Sequence, residues 1–193
     1  LEDKKAAIFN CAQKLFSTKG FKDTNVSDIT KMAGIAVGSF YKYYSSKDQL
    51  FMAIYLSENE QLKRSLMESV NPDDDPVKQM KEVLTLNFQG MIANPILKEW
   101  YNRDLFSKLE KYFYEQEGFK SISEFMNRGA IELIKRWKVD GKLRSDLDDG
   151  LIMAIFNSIF YIDFHKKEIG IQYFPQVLDQ IVEFVMKGLT DGR

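Results

Sequence analysis

The sequence predicts an all-α protein, with a small N-terminal three-helix domain over residues 1–46 and a larger helical domain over 47–193. Three observations predict it. Of 193 residues 45% are hydrophobic, enough for a small core plus a larger one. Apolar residues recur at helical rather than alternating spacing. Only four prolines are present, and the main breakers fall between the periodic stretches.

Each element can be justified in turn. The first helix is expected over about Asp3 to Lys19, because Ile8, Ala12, Leu15 and Phe16 fall at i, i+4, i+7 and i+8 on one stripe. Gly20 ends it, and Phe21 folds back on the last turn. Asn25 caps the second helix and Asp28, three residues on, completes a capping box. Val26, Ile29, Met32 and Ala33 are expected to face inward. Gly34 supplies the left-handed geometry of a tight Ala33-Gly34 turn. A third short helix follows over about Val37 to Tyr43. The fourth starts after Ser46, with Gln49 placed for another capping box, and continues to about Val70.

Asn71-Pro-Asp-Asp-Asp-Pro76 is the clearest breaker. Helix five is expected over about Val77 to Ala93. Asn94-Pro95 breaks the chain again and places Pro95 at the first position of helix six, about Ile96 to Lys108. After a less regular stretch around Tyr112 to Gly118, a long helix over about Phe119 to Val139 stops at Asp140-Gly141. Two strongly apolar helices close the chain, over about Asp148 to His165 and Pro175 to Lys187.

Charge is close to balanced overall, at −1, and unevenly spread. Residues 1–50 hold eight lysines against five acids, while the remainder holds nineteen basic against twenty-three acidic residues. A basic head on an acidic body fits a nucleic-acid contact confined to the head. Cys11, the only cysteine, excludes an intrachain disulfide and reads as a buried thiol in a reducing cytoplasm. No signal-peptide pattern is visible. The most apolar run, Leu151 to Ile162, is interrupted by Asn157 and Ser158 and falls short of the roughly 20 residues that span a bilayer. A cytoplasmic location is expected. With one histidine, one cysteine, no Gly-rich phosphate loop and no nucleophile elbow, the chain does not read as an enzyme. Asp163 and Glu168 near His165 lack convincing zinc-ligand spacing, so no metal or cofactor is expected.

The stretch Asn25 to Asp48 has the layout of a helix-turn-helix, in which the second short helix is presented to the major groove of DNA. Ala36, Val37, Gly38 and Ser39 are small, so the backbone there can approach base edges. Ser39 can bond several bases, and Val37 can meet a thymine methyl. Lys42 can reach a guanine edge or a phosphate. Tyr41 and Tyr43 place hydroxyls for the sugar-phosphate backbone, while Phe40 and Tyr44 are spaced to face the head's own core. Asn25, Ser27 and Lys47, at helix starts, are expected phosphate contacts.

These residues resemble the DNA-binding domain of the TetR family of transcriptional regulators. The resemblance rests on Ile8 to Phe16 with Gly20-Phe21, Val26-Ser-Asp-Ile29, Ala33-Gly34-Ile35, Gly38-Ser-Phe-Tyr41, Tyr43-Tyr44 and Ser46-Lys-Asp-Gln-Leu50, and covers about residues 3 to 55. Asp140-Gly141-Lys-Leu143 with Asp146-Leu-Asp148 is similar to the segment that often precedes the family's penultimate helix. Two features depart from the pattern. Ala36 stands where a capping, phosphate-contacting serine or threonine is frequent. Leu1 lies almost at the start of the first helix, so an N-terminal arm is expected to be missing or trimmed.

The resemblance implies a homodimer joined through the last two helices as a four-helix bundle. The residues agree, since Leu151 to Phe156 and Ile159 to Ile162 are apolar on nearly every side. Ile155, Ile159, Ile162, Val177, Ile181 and Val185 are the expected interface. It also implies an effector cavity, for which Phe88, Trp100, Tyr101, Phe106, Phe125, Phe156, Phe160 and Tyr161 are candidates, with a hydrophobic or aromatic ligand. Glu99, Arg103 or His165 could orient its polar groups. The implied activity is a repressor that binds a palindromic operator and is released by its effector. The competing reading is a ligand-binding or structural helical dimer whose DNA head is weak or vestigial.

Overall fold

The structure, a computed structural model, describes residues 2–115, 117–162, 169–174 and 176–190. Among them the chain forms helices and no strands. They are α1 (Glu2–Lys19), α2 (Val26–Met32), α3 (Val37–Phe40), α4 (Lys47–Ser69), α5 (Pro76–Ala93), a 3-10 helix (Leu97–Tyr101), α6 (Arg103–Glu115), α7 (Glu117–Val139), α8 (Asp149–Ile162), a 3-10 turn (Ile171–Tyr173) and α9 (Gln176–Thr190). Two compact units emerge, one of residues 1–62 and 89–122, the other of 63–88 and 123–193.

In the first unit, the α1 stripe is buried as its spacing requires, with Ile8, Ala12, Leu15 and Phe16 all at most 5% exposed. Phe16, Phe21 and Phe51 form a triangle with ring centroids 4.7 to 5.7 Å apart, two of the pairs edge-on, a favoured aromatic geometry. Phe21 thus folds back on α1, and Gly20 takes the left-handed conformation that permits the turn. Ile29, Phe40, Leu50 and Ile54 complete this core.

Three expectations require correction here. Met32 is 46% exposed rather than inward, and Thr30 is buried in its place. Thr30 is tolerated inside because its hydroxyl donates to the Ser27 carbonyl at 3.1 Å. The third helix ends at Phe40, and Tyr43 and Tyr44 continue as a turn whose N–H groups both donate to the Phe40 carbonyl. The single helix expected from Ile96 is two, because Asn102 adopts an extended conformation between the 3-10 helix and α6.

The second unit is built around Trp137, Ile134, Ile152, Phe156, Ile159, Val182 and Met186. Trp137 donates its indole N–H to the Pro72 carbonyl at 3.1 Å. Lys142 donates to the carbonyls of Pro72, Asp73 and Asp74, so one ammonium holds the whole Pro-Asp-Asp turn. Asp75 then caps α5 by accepting from the Lys78 N–H at 2.9 Å, with Pro76 at the first helical position. Lys81 of α5 pairs with Asp179 and Glu183 of α9. Asp148 caps α8.

Candidate DNA interface

The helix-turn-helix forms as its caps dictate. Asn25 accepts the Asp28 N–H at 2.8 Å, and Asp28 reaches back to the Asn25 N–H, which closes the capping box. Gly34 has φ of 65°, and the Ile35 N–H donates to the Thr30 carbonyl across the turn. Ala36 is the N-cap of α3 and offers no side-chain bond, so the start of α3 keeps N–H groups that no cap side chain satisfies.

Behind α3, Phe40 is fully buried and Tyr44 is 6% exposed. In front, Val37 is 45% and Tyr41 56% exposed, and Ala36, Gly38 and Lys42 are exposed with them. Ser39 and Tyr43 are half-buried at the edges of this surface. Gly38 is informative. Its φ is not positive, and an added Cβ would meet nothing within 4 Å. The fold itself therefore has no need of glycine there, and the space beside it is open. Asn25 and Ser27 are exposed at the start of α2. Lys5, which the sequence reading did not single out, places its ammonium 5.9 Å from the Tyr44 ring centroid.

Lys47, an expected phosphate contact, engages its ammonium within the head. Its ammonium donates to the Phe21 and Thr24 carbonyls, each at 2.7 Å, and lies over the Phe21 ring. Partial burial lowers its pKa against the opposing pull of Asp48 and Asp23. It ties the α1–α2 loop to α4. Ser46 caps α4 by accepting from the Gln49 N–H, and Gln49 reaches back to the Ser45 N–H, one residue earlier than a standard box.

The effector candidates divide between the units. In the first, Trp100 stacks on Tyr55 with centroids 5.9 Å apart, beside Phe51, Met52, Glu99, Leu105 and Leu109. The free space between them is about 10 Å³, room for about one water. Burial, with Tyr101 nearby, pushes the Tyr55 hydroxyl well above its usual pKa. In the second, Phe88 is half-buried, and Phe156 is a core residue at 4% exposure. The side chains of Phe106, Phe125, Phe160 and Tyr161, and all of His165, lie outside the described residues.

Of the expected dimer contacts, Ile159 is a correction: at 1% exposure it belongs to its own chain's core. Ile155, Ile162, Val177, Ile181 and Val185 are half-buried. Two further apolar residues of α8 and α9, outside the expected set, are exposed: Leu151 at 50% and Phe184 at 67%. Phe184 continues the expected stripe, following Val177 and Ile181 at i+7 and i+3.

Among the described residues no helix is long and apolar enough to cross a membrane, and no cluster could hold a metal ion. Comparison with known proteins gives a consistent result. The profile of bacterial regulatory proteins of the tetR family matches residues 8–54. The HTH-type transcriptional regulator YvaF of Bacillus subtilis is 26% identical over 184 residues, covering 92% of this chain and 90% of that protein. The HTH-type transcriptional repressor KstR2 of Mycolicibacterium smegmatis is 21% identical over 189 residues, covering 96% and 90%. Bacillus subtilis FadR, solved in complex with stearoyl-CoA, shares the fold with a TM-score of 0.61 at 16% identity, over 97% of this chain and 98% of that one.

Proposed function

Because the chain belongs to the TetR family of bacterial transcriptional regulators, we propose that it is a repressor that binds a palindromic operator as a homodimer. The observation that carries this reading is the front of α3. Val37, Gly38, Tyr41 and Lys42 face outward from a turn anchored by Phe40 and Tyr44. Val37 and Ser39 read base edges, and Lys42 reaches a guanine or a phosphate. Asn25, Ser27, Tyr41 and Tyr43 meet the sugar-phosphate backbone, as do the exposed N–H groups at Ala36. Repression is favoured over activation by the likeness to KstR2.

Dimerisation uses the outward face of α8 and α9, where Phe184 and Leu151 leave apolar surface uncovered. The two heads then meet half-sites about 34–36 Å apart, or somewhat more. The effector is a small, largely hydrophobic molecule, in keeping with the aromatic content of the helical body and with the acyl-CoA held by a protein of the same fold. It releases DNA to the extent that it prefers a state with wrongly spaced heads. The regulator acts in the cytoplasm.

Selection of bound duplexes from a random library tests this reading. Recovery of a palindrome supports it. Recovery of no motif by a folded, dimeric protein would shift the reading to a ligand-binding helical dimer with a vestigial head.

A further inference from the structure

Glu58 joins two segments far apart in sequence. Its Oε1 accepts from the Gln13 side-chain amide on α1, and its Oε2 accepts from the Asn94 side-chain amide at 2.6 Å. Asn94 in turn accepts, through Oδ1, the N–H groups of Ile96 at 2.9 Å and Leu97 at 3.3 Å. It therefore caps the 3-10 helix whose other end carries Trp100, stacked on Tyr55 one turn before Glu58 on α4. Ile96 and Leu97 are each 1% exposed, so this segment is firmly seated. All of these residues belong to one compact unit.

The surroundings give the bridge its importance. Glu58 lies on an open notch of about 570 Å³ lined by Asn10, Lys14, Ser17 and Pro95 among others. Across that notch Glu58 links α1 to the Asn94 turn through polar side chains, Gln13 on one side and Asn94 on the other. Polar ties of this kind fix direction, because a charge-assisted hydrogen bond tolerates little change in angle or length.

We propose that Glu58 is a positioning residue for DNA binding, through which the 97–101 segment sets the orientation of α1 and hence of the recognition helix. This rests on the operator-binding reading above. The segment carrying Trp100 and Tyr101 is thereby linked to α1 through two side chains, Asn94 and Glu58.

The test uses the full chain with the operator duplex recovered by selection and a shuffled duplex of equal length. In the wild type, operator and not shuffled duplex slows hydrogen exchange at Ile96 and Leu97. Glu58→Ala abolishes that slowing and weakens operator binding about tenfold, a typical coupling magnitude, while shuffled-duplex binding is unchanged. Glu58→Gln restores both, because its oxygen still accepts from Asn94 and Gln13 can turn its own oxygen to the new amide. Gln13→Ala weakens operator binding alone and adds nothing in the Glu58→Ala background. The proposal is overturned if Glu58→Ala lowers stability with operator affinity intact, if the Gln13 and Glu58 losses add, or if the operator leaves exchange at Ile96 and Leu97 untouched. A wild type that prefers no duplex would remove the operator reading itself, a result distinct from any of these.

Discussion

The ammonium of Lys47 lies 4.1 Å from the centroid of the Phe21 ring and donates to the carbonyl of that same residue. A second bond, to Thr24, means that one cation holds both ends of the α1–α2 loop. Lys47→Met should therefore lower stability by about 1.5–3 kcal/mol, the range for hydrogen bonds to a charged group. Urea denaturation measures this. A residue serving only as a phosphate contact would leave stability alone and instead lower the salt slope of operator binding by about one. We expect the slope to hold.

Gly38 makes the opposite prediction. Gly38→Ala should fold at least as well as the wild type, gaining up to about 1 kcal/mol of helix propensity, because nothing inside the protein opposes the added methyl. Gly38→Glu should also fold, yet lose operator binding by steric and charge exclusion from the groove. Thermal melts beside anisotropy titrations separate the two properties, and an unaltered operator affinity in Gly38→Glu would rule α3 out as the reading element.

The outward face of α8 and α9 is tested by Phe184→Asp. Each copy loses the burial of one large side chain, about 1.5–3 kcal/mol, and the two-fold interface loses it twice. The dimer should weaken by some two to four orders of magnitude, with the monomer still helical. Sedimentation over a concentration series shows this, and an unchanged dimer would place the interface elsewhere.

Lys63 gives the protein a pH dependence. It donates to Asn87 between α4 and α5, and burial lowers its pKa from 10.5 to about 8. The unfolded chain therefore binds more protons than the folded one between about 8 and 10.5, and stability rises with pH across that window. The gain is at most about 3 kcal/mol. Tyr44 and Tyr55, whose pKa values are raised, act in the opposite sense from pH 10 upward, so the rise should end near there. Lys63→Met should flatten the profile between pH 8 and 10 in urea titrations.

Much of the head was readable in advance because its signals are local. The Asn25–Asp28 box, the Gly34 turn and the α1 stripe are each set by neighbours within one turn. The sequence says less where a partner distant in the chain decides. Lys47 was read from its place at a helix start, whereas carbonyls more than twenty residues away hold it. Helix six was read from Pro95, but Asn94 caps a 3-10 helix and Asn102 ends it. Ile159 looked like an interface residue because α8 is apolar on most sides, and periodicity alone cannot say which of those sides its own chain covers. Glu58 left no sequence signal, since its partners lie 45 and 36 residues away.

The recognition turn keeps its two tasks on opposite sides. Phe40 and Tyr44 hold it from behind, while Val37, Gly38 and Lys42 face outward and Tyr41, though exposed, sets its ring edge-on to Phe40. A side chain added at Gly38 meets no neighbour in the fold, so on the operator-binding reading proposed above the contact surface can vary there independently of the scaffold that presents it.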